Sequence, residues 1–223
     1  MNNHLTTSNL NRQLKINLGY TVAFAGLSLL AIVFIDQRLA LWVHYEQFDN
    51  ILWLNQFTEN SPYILGIPAA LIMLFFPVKK SLKTKLQIIL VSILLLIIAD
   101  LIKSELKCLF ARNWPLFWLG VWGAASSPFK NNYGINFSWT SHWQGSLPSG
   151  HTTFVTLLSI ILAQLYPRLK PYLVAYGALL VVSLVSLNHH FLGDCLAGIS
   201  LAFLVNSLFL YVQFLILKHT SSQ

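Results

Sequence analysis

Six apolar stretches constrain this chain more than any other feature of its sequence. They are Leu18–Ile35, Tyr63–Phe76, Leu86–Ile102, Thr152–Tyr166, Tyr172–Asn188 and Cys195–Leu217. A helix needs about 20 apolar residues to cross the ~30 Å hydrocarbon core of a bilayer, and the stretches reach or approach that length when neutral neighbours are included. The pattern predicts an all-α, polytopic membrane protein with a six-helix transmembrane bundle. Residues 18–218 would form its single domain, after a cytoplasmic segment at residues 1–17.

The composition excludes a water-soluble globular protein. Charged residues make up only 9% of the chain, and hydrophobic residues make up 56%. The surface of a soluble domain normally needs about 25% charged residues. The net charge of +7 is not arranged as a basic stripe, so we expect no nucleic-acid partner. The two cysteines, Cys108 and Cys195, lack metal-ligand spacing and are expected to act as small hydrophobic residues.

Basic residues predict how the chain lies in the membrane. If the N-terminus is cytoplasmic, nine of the 14 Lys and Arg residues fall in inside segments. They are Arg12, Lys15, Lys79, Lys80, Lys83, Lys85, Arg168, Lys170 and Lys218. Because cytoplasmic loops carry an excess of Lys and Arg, we expect both termini in the cytoplasm. The remaining connections, which carry the candidate site residues, then face the periplasm or the exterior of a plasma (inner) membrane.

Cations gather at the outer end of the third stretch. Asp100, Lys103 and Lys107 are three and four residues apart and share one helix face, and Arg112 follows at the helix exit. One interpretation is an anion site with a point charge from Lys107 and a two-pronged fork from Arg112. The alternative is a helix end anchored in lipid headgroups, with Asp100 paired to Lys103.

A second cluster, Pro148-Ser149-Gly150-His151, leads directly into the fourth stretch. The free N–H groups and positive dipole end of a helix N-terminus suit a phosphate, and Ser149 can add a hydroxyl donor. His151 would lie beside the bound anion. The alternative is a plain helix cap formed by Ser149, which uses the same donors.

The third cluster, Asn188-His189-His190 followed by Asp194, lies between the fifth and sixth stretches. In a helical turn, the Asp194 carboxylate accepts a hydrogen bond from one ring nitrogen of His190 and leaves the other nitrogen as a nucleophile or base. His189 is the rival nucleophile, but no Asp follows it at four-residue spacing. Asn188 is a further candidate donor to the site.

Together the three clusters resemble the type 2 phosphatidic acid phosphatase family, whose site is shared by vanadium haloperoxidases and bacterial acid phosphatases. The family pattern is Lys, six residues, Arg-Pro; then Pro-Ser-Gly-His; then Ser-Arg, five residues, His, three residues, Asp. This chain has Lys107 and Trp114-Pro115, then the complete 148–151 motif, then Ser183-Leu184, His190 and Asp194. The resemblance spans about residues 86–217.

The resemblance implies a role for each matching residue. His190 attacks phosphorus to form a phosphohistidine, Asp194 orients His190, and His151 protonates the leaving oxygen. The phosphate oxygens are bound by Lys107, Arg112, Ser149 and the Gly150 N–H, and Asn188 is a further candidate. No metal or other cofactor is implied, because fixed cations supply the positive charge.

The expected function is hydrolysis of a lipid phosphate or diphosphate monoester at the outer face of the membrane. The expected partners are the lipid substrate and the bilayer. Trp114 and Leu184 stand where the family has arginines, so two alternatives stay open. One is a lipid phosphotransferase, with an alcohol replacing water as acceptor. The other is a lipid-phosphate-binding protein of the same fold that has lost catalysis.

Overall fold

The computed structural model describes residues 7–48, 51–75, 82–121, 132–138 and 145–220, and all regular secondary structure in these ranges is helical. The α-helices are α1 (Thr7–Phe34), α2 (Asp36–Tyr45), α3 (Leu52–Phe75), α4 (Leu82–Phe110), α5 (Pro115–Trp118), α6 (Gly150–Leu165), α7 (Lys170–Ser186) and α8 (Leu192–Thr220). A short 3₁₀ helix, Pro167–Leu169, precedes α7. The predicted all-α fold is confirmed. Residues 1–6, Phe76, Lys79 and Lys80 lie outside the described residues.

Within the described ranges, four helical segments are long and apolar enough to cross a membrane: Thr7–Phe34, Leu82–Trp118, Pro167–Ser186 and Leu192–Lys218. Their outer faces carry large exposed apolar side chains such as Val22, Leu90 and Val174. Lipid tolerates such a surface and water does not, so the chain is an integral membrane protein.

The predicted count of six spans is not confirmed. α6 has 16 residues, just below the roughly 17–25 residues of a typical crossing. α3 has 24 residues, but its first half carries Asn55, Gln56, Glu59 and Asn60. These polar side chains lower its mean hydropathy. Both helices lie where the sequence predicted apolar stretches, and whether they cross the membrane stays a prediction.

α8 is the central helix of the bundle. Half of its apolar window is buried, against about a fifth in the other three spanning segments. It packs against α1 along its length and also against α6 and α4. Its residues Ala202 and Val205 join Leu95, Leu157 and Leu162 in the main apolar core. Asp194 therefore lies at the start of the most buried of these four spanning segments.

Glycine allows α8 to approach the start of α6 closely. A Cβ at Gly198 would lie 2.6 Å from the Ser149 carbonyl oxygen and against the Thr152 hydroxyl. The Ser149 N–H donates to the Asp194 carbonyl oxygen at 2.9 Å. The Ser146 N–H donates to the Arg112 carbonyl oxygen at 2.8 Å. These contacts bring the exit of α4 and the starts of α6 and α8 to one end of the bundle.

This packing predicts that Gly198→Ala destabilises the protein. Alanine favours a helix by up to about 1 kcal/mol over glycine, but overpacking a tight contact costs about 1–3 kcal/mol. We expect the Tm in detergent to fall by several degrees. Gly177→Ala is the matched control, because a Cβ at Gly177 in α7 meets nothing within 4 Å. Equal Tm values for the two variants would contradict the close approach.

Candidate active site

The site is built around a buried arginine that bridges two carboxylates. Arg112 Nη1 donates to Asp194 Oδ1 at 2.6 Å, and Nη2 donates to Asp36 Oδ2 at 3.0 Å. All three side chains are fully buried. The guanidinium also packs against the Phe191 ring at 4.1 Å and the Tyr133 ring at 5.3 Å from the ring centroids. These rings exclude water from the ion pairs and so strengthen them.

Both carboxylates hold the first turn of α8. Asp194 Oδ2 accepts the Phe191 N–H at 3.1 Å, the reciprocal contact of a capping box. Asp36 accepts the Gly193 N–H through both oxygens, at 3.0 and 3.2 Å. Burial raises the pKa of Asp36, and the Arg112 charge and the Gly193 N–H oppose that shift. Two negative charges at a helix N-terminus also complement its dipole.

His190 lies directly beside this cluster, in the turn between α7 and α8. Its Nδ1 is 3.4 Å from Asp194 Oδ2, and its side chain is 2% exposed. The backbone N–H groups of His189 and His190 both donate to the Leu184 carbonyl oxygen, which fixes the turn. Burial lowers the pKa of His190 to about 4, although the contact with Asp194 opposes the shift. The imidazole is therefore neutral at pH 7, and the Asp194 carboxylate holds its Nδ1–H.

Trp114 occupies the position of the first missing arginine and connects two site residues. Its ring centroid is 4.6 Å from that of His190, and Lys107 Nζ lies 4.4 Å from the Trp114 ring. Where the family has a positively charged arginine, this chain has an aromatic ring that makes a cation–π contact with Lys107 and packs against His190. Leu184 stands where the family has its second arginine. Its side chain is fully buried in an apolar cluster with Val155 and Leu180.

Lys107 is a buried cation for which the described residues provide no ion-pair partner. Lys103, one turn away, pairs with Asp100 as the alternative interpretation of this helix predicted. The Lys103 side chain also crosses the start of α6, where its Cδ would lie 3.2 Å from a Cβ at Gly150.

The motif at residues 148–151 forms the predicted start of α6. Ser149 is the N-cap, and its hydroxyl oxygen accepts the Thr152 N–H at 3.5 Å. Gly150 and His151 are the first two helical residues, whose N–H groups have no partner within a helix. His151 interacts electrostatically with His189, Lys107 and Lys103. This helix start therefore faces both the lysines and the histidine turn.

A cavity of about 400 Å³ opens next to His151, between α3 and α6. It is lined by Glu59, Pro62, Tyr63, Gly66, Ile67, His151 and Phe154. Apolar side chains form most of the wall, whereas Glu59 and His151 carry polar groups. Glu59 also interacts electrostatically with His151 and His189. The space suits a ligand with an apolar portion that ends near the histidines.

The structure brings the predicted residues together but gives two of them partners that the sequence did not indicate. Arg112 uses both terminal nitrogens on carboxylates, while its buried Nε has no hydrogen-bond partner among the described residues. Asn188 adopts a left-handed φ of 52° and donates its side-chain amide to the Ala40 carbonyl oxygen at 3.1 Å. It anchors the histidine turn to α2. Their roles as phosphate ligands stay predictions.

Sequence reasoning missed Asp36 and the contacts of Trp114. Asp36 belongs to no motif, and its only signal was an acidic residue immediately after the first apolar stretch. Ionisable residues at membrane depth are costly and are usually paired, which is the argument that singles it out. Among the described residues, no group of three or more His, Cys, Asp or Glu side chains is placed to hold a metal ion.

The chain is similar to a curated protein and to a solved structure. Over 75 residues the chain is 33% identical to inositol phosphorylceramide synthase catalytic subunit AUR1 of Saccharomyces cerevisiae, a stretch that covers 34% of this chain and 19% of the yeast protein. The chain also aligns with the crystal structure of the first transmembrane PAP2 type phosphatidylglycerolphosphate phosphatase from Bacillus subtilis. That alignment has a TM-score of 0.43 and 18% identity, over 97% of this chain and 96% of the other.

A family profile matches the part of the chain that contains every motif of the site. It is the profile of the PAP2 superfamily, and it covers residues 87–217, more than half of the sequence. This range begins in α4 and ends in α8, so it includes Lys107, Arg112, the 148–151 motif and the His190–Asp194 pair. The chain therefore belongs to the PAP2 superfamily, the type 2 phosphatidic acid phosphatase family that its three motifs predicted.

Proposed function

We propose that this protein is a membrane phosphatase that hydrolyses a lipid phosphate or diphosphate monoester through a phosphohistidine intermediate. One observation carries the proposal. A buried, neutral His190 is held by Asp194 through Nδ1, and it interacts with Lys107 and with His151 at the start of α6. A neutral imidazole with one oriented nitrogen is a competent nucleophile. Membership of the PAP2 superfamily supports the same chemistry.

The reaction would proceed in two steps. In the first, His190 Nε2 attacks phosphorus, the bond between phosphorus and the leaving oxygen breaks, and His151 gives that oxygen a proton. In the second, His151 takes a proton from water, the water oxygen attacks phosphorus, and the P–N bond breaks to release phosphate. Each step returns the proton that the other uses, so His190 and His151 end as they began.

The phosphate would be bound without a metal ion. Lys107 supplies a point charge in a buried setting, where it acts more strongly than in water. The first N–H groups of α6, at Gly150 and His151, supply fixed dipoles directed at the same anion. Fixed donors of this kind stabilise the charge that develops on the phosphoryl oxygens. Ser149 already caps the helix and can rotate its hydroxyl toward the phosphate.

A lipid substrate is supported by the surroundings of His151. The adjoining cavity is mainly apolar and lies against α3 and α6 at the edge of the bundle. An acyl or isoprenyl chain that occupied it would bring an attached phosphate to His151 and His190. The four spanning segments place the protein in a bilayer, where such substrates are dissolved.

Phosphotransfer to an alcohol is a second candidate. The observation that favours it is the similarity over 75 residues to the yeast inositol phosphorylceramide synthase subunit. In that case the acceptor hydroxyl replaces water in the second step, and the first step is unchanged. Phosphate release measured with and without an added acceptor alcohol separates the two reactions.

Replacing the proposed nucleophile, His190, tests the mechanism directly. We expect His190→Ala to lower kcat/KM for lipid phosphate hydrolysis by at least a thousandfold, about 4 kcal/mol. His189→Ala is the matched control and is expected to stay within about tenfold of wild type, because only His190 is oriented by Asp194. Phosphate release is measured across a panel of lipid phosphates in detergent with EDTA present. We also expect an acid-labile phosphoenzyme that His190→Ala abolishes. Wild-type activity in His190→Ala would overturn the mechanism.

The lowered pKa of His190 should make the stability of the protein depend on pH. His190 has a pKa of about 4 in the folded protein, below its ordinary value of 6.5. Between these values the unfolded state binds more protons, so acidification destabilises the fold. We expect the lowered pKa of His190 to reduce the free energy of unfolding by about 2 kcal/mol at pH 5 relative to pH 7.5. His190→Gln should therefore show a smaller fall in Tm between pH 7.5 and pH 5 than wild type. An equal fall would contradict the lowered pKa.

Reporter fusions test how the protein is oriented in the membrane. We propose that both termini are cytoplasmic, that α3 and α6 also cross the membrane and that the site faces the periplasm or exterior, because most of the described lysines and arginines lie at the opposite end. A reporter fused after Gln223 should read as cytoplasmic, and one inserted at Gln47, in the exposed turn that follows α2, should read as external. The reverse pair of signals would place the site on the cytoplasmic face.

A further inference from the structure

We infer that Asp36 is a positioning residue for His190: it fixes the first turn of α8 and gives the buried cluster around Asp194 a net negative charge. The inference rests on the proposed phosphohistidine mechanism. It assigns a role to the N-terminal part of the chain, which lies outside residues 87–217. Asp36 would act on His190 through Arg112 and Gly193, the two residues whose N–H groups it accepts.

The geometry fixes Asp36 from two directions. Its Oδ2 accepts from Arg112 Nη2 at 3.0 Å, and both of its oxygens accept the Gly193 N–H. The contact requires a glycine, because a Cβ at Gly193 would lie 2.7 Å from Asp36 Oδ2 and 2.7 Å from Ile32 Cγ1. Ser28 secures the same residue by donating its hydroxyl to the Gly193 carbonyl oxygen at 2.7 Å. Both polar backbone groups of Gly193 are thus held by the α1–α2 segment.

This arrangement reaches His190 through a short chain of contacts. Gly193 immediately precedes Asp194. The position of the Gly193 backbone therefore fixes the Asp194 backbone, from which the carboxylate side chain extends. Arg112 holds Asp194 Oδ1 and leaves Oδ2 directed at His190 Nδ1. Asp36 orients Arg112 from the opposite side. A shift of the first turn of α8 would therefore misalign the imidazole, where small displacements are costly.

Charge counting indicates a second contribution. Asp36, Asp194 and Arg112 are fully buried and together carry one net negative charge when ionised. Without Asp36, the guanidinium would neutralise Asp194 and the cluster would carry no net charge. When His190 Nε2 bonds to phosphorus, the imidazole ring becomes positively charged. The cluster with Asp36 then offsets that charge, whereas a buried charge without compensation is strongly unfavourable.

The test compares Asp36→Asn with Glu46→Gln. Asparagine keeps the shape and can still accept the Gly193 N–H, but it removes the charge. Glu46 is an exposed acid at the end of α2 and serves as the matched control. We expect Asp36→Asn to lower kcat at least tenfold, with KM and the inhibition constant of inorganic phosphate within threefold of wild type. The phosphoenzyme formed in a single turnover should fall in parallel with kcat.

Asp36→Ala extends the test, because it removes both the charge and the acceptor for Gly193. We expect a larger loss of kcat than in Asp36→Asn, and Tm measurements in detergent show how much of each variant is folded. Wild-type kcat in folded Asp36→Asn would overturn the inference, as would a loss confined to KM. The proposed function fails separately, if wild type forms no phosphoenzyme or if His190→Ala retains activity.

Discussion

A guanidinium buried between two carboxylates is the interaction on which the rest of this site depends. Arg112 cannot lose its proton, so it must be neutralised where it lies, and Asp36 and Asp194 do this from opposite sides. The three residues belong to α2, the exit of α4 and the start of α8. Breaking a buried ion pair by removing one partner typically costs about 3–5 kcal/mol. Because separating these ion pairs is costly, α2, the exit of α4 and the start of α8 are held together around His190.

The two missing arginines of the family pattern are replaced in different ways. Trp114 lies between Lys107 and His190, so it substitutes packing and a cation–π contact for a charge. Leu184 is part of the apolar core, and only its carbonyl oxygen serves the site, by accepting from the His189 and His190 N–H groups. In the proposed mechanism, Lys107 and the start of α6 would bind the phosphate, and a site with fewer cations would rely more on fixed N–H dipoles and on the exclusion of water.

Local features of the site could be predicted from the sequence because they depend on neighbours a few residues away along the chain. The Ser149 cap follows from a serine placed immediately before Gly150 and an apolar run. The contact between His190 and Asp194 follows from their four-residue spacing. The partners of Arg112 could not be predicted in this way, since Asp36 is 76 residues away along the chain. The count of six spans was not confirmed, because α6 has only 16 residues and polar side chains in the first half of α3 lower its mean hydropathy.

The sequence by itself determined that this chain is helical, that it needs a bilayer and that it carries the motifs of the PAP2 superfamily. Hydrophobic runs and short-range spacing encode these properties directly. Only the tertiary structure decided that Asp36 pairs with Arg112, that Trp114 contacts both Lys107 and His190, and that Asn188 anchors a turn to α2. Each of these depends on which helix faces meet. That choice is made by close packing across the bundle, at glycines such as Gly193 and Gly198, and no local pattern of residues contains it.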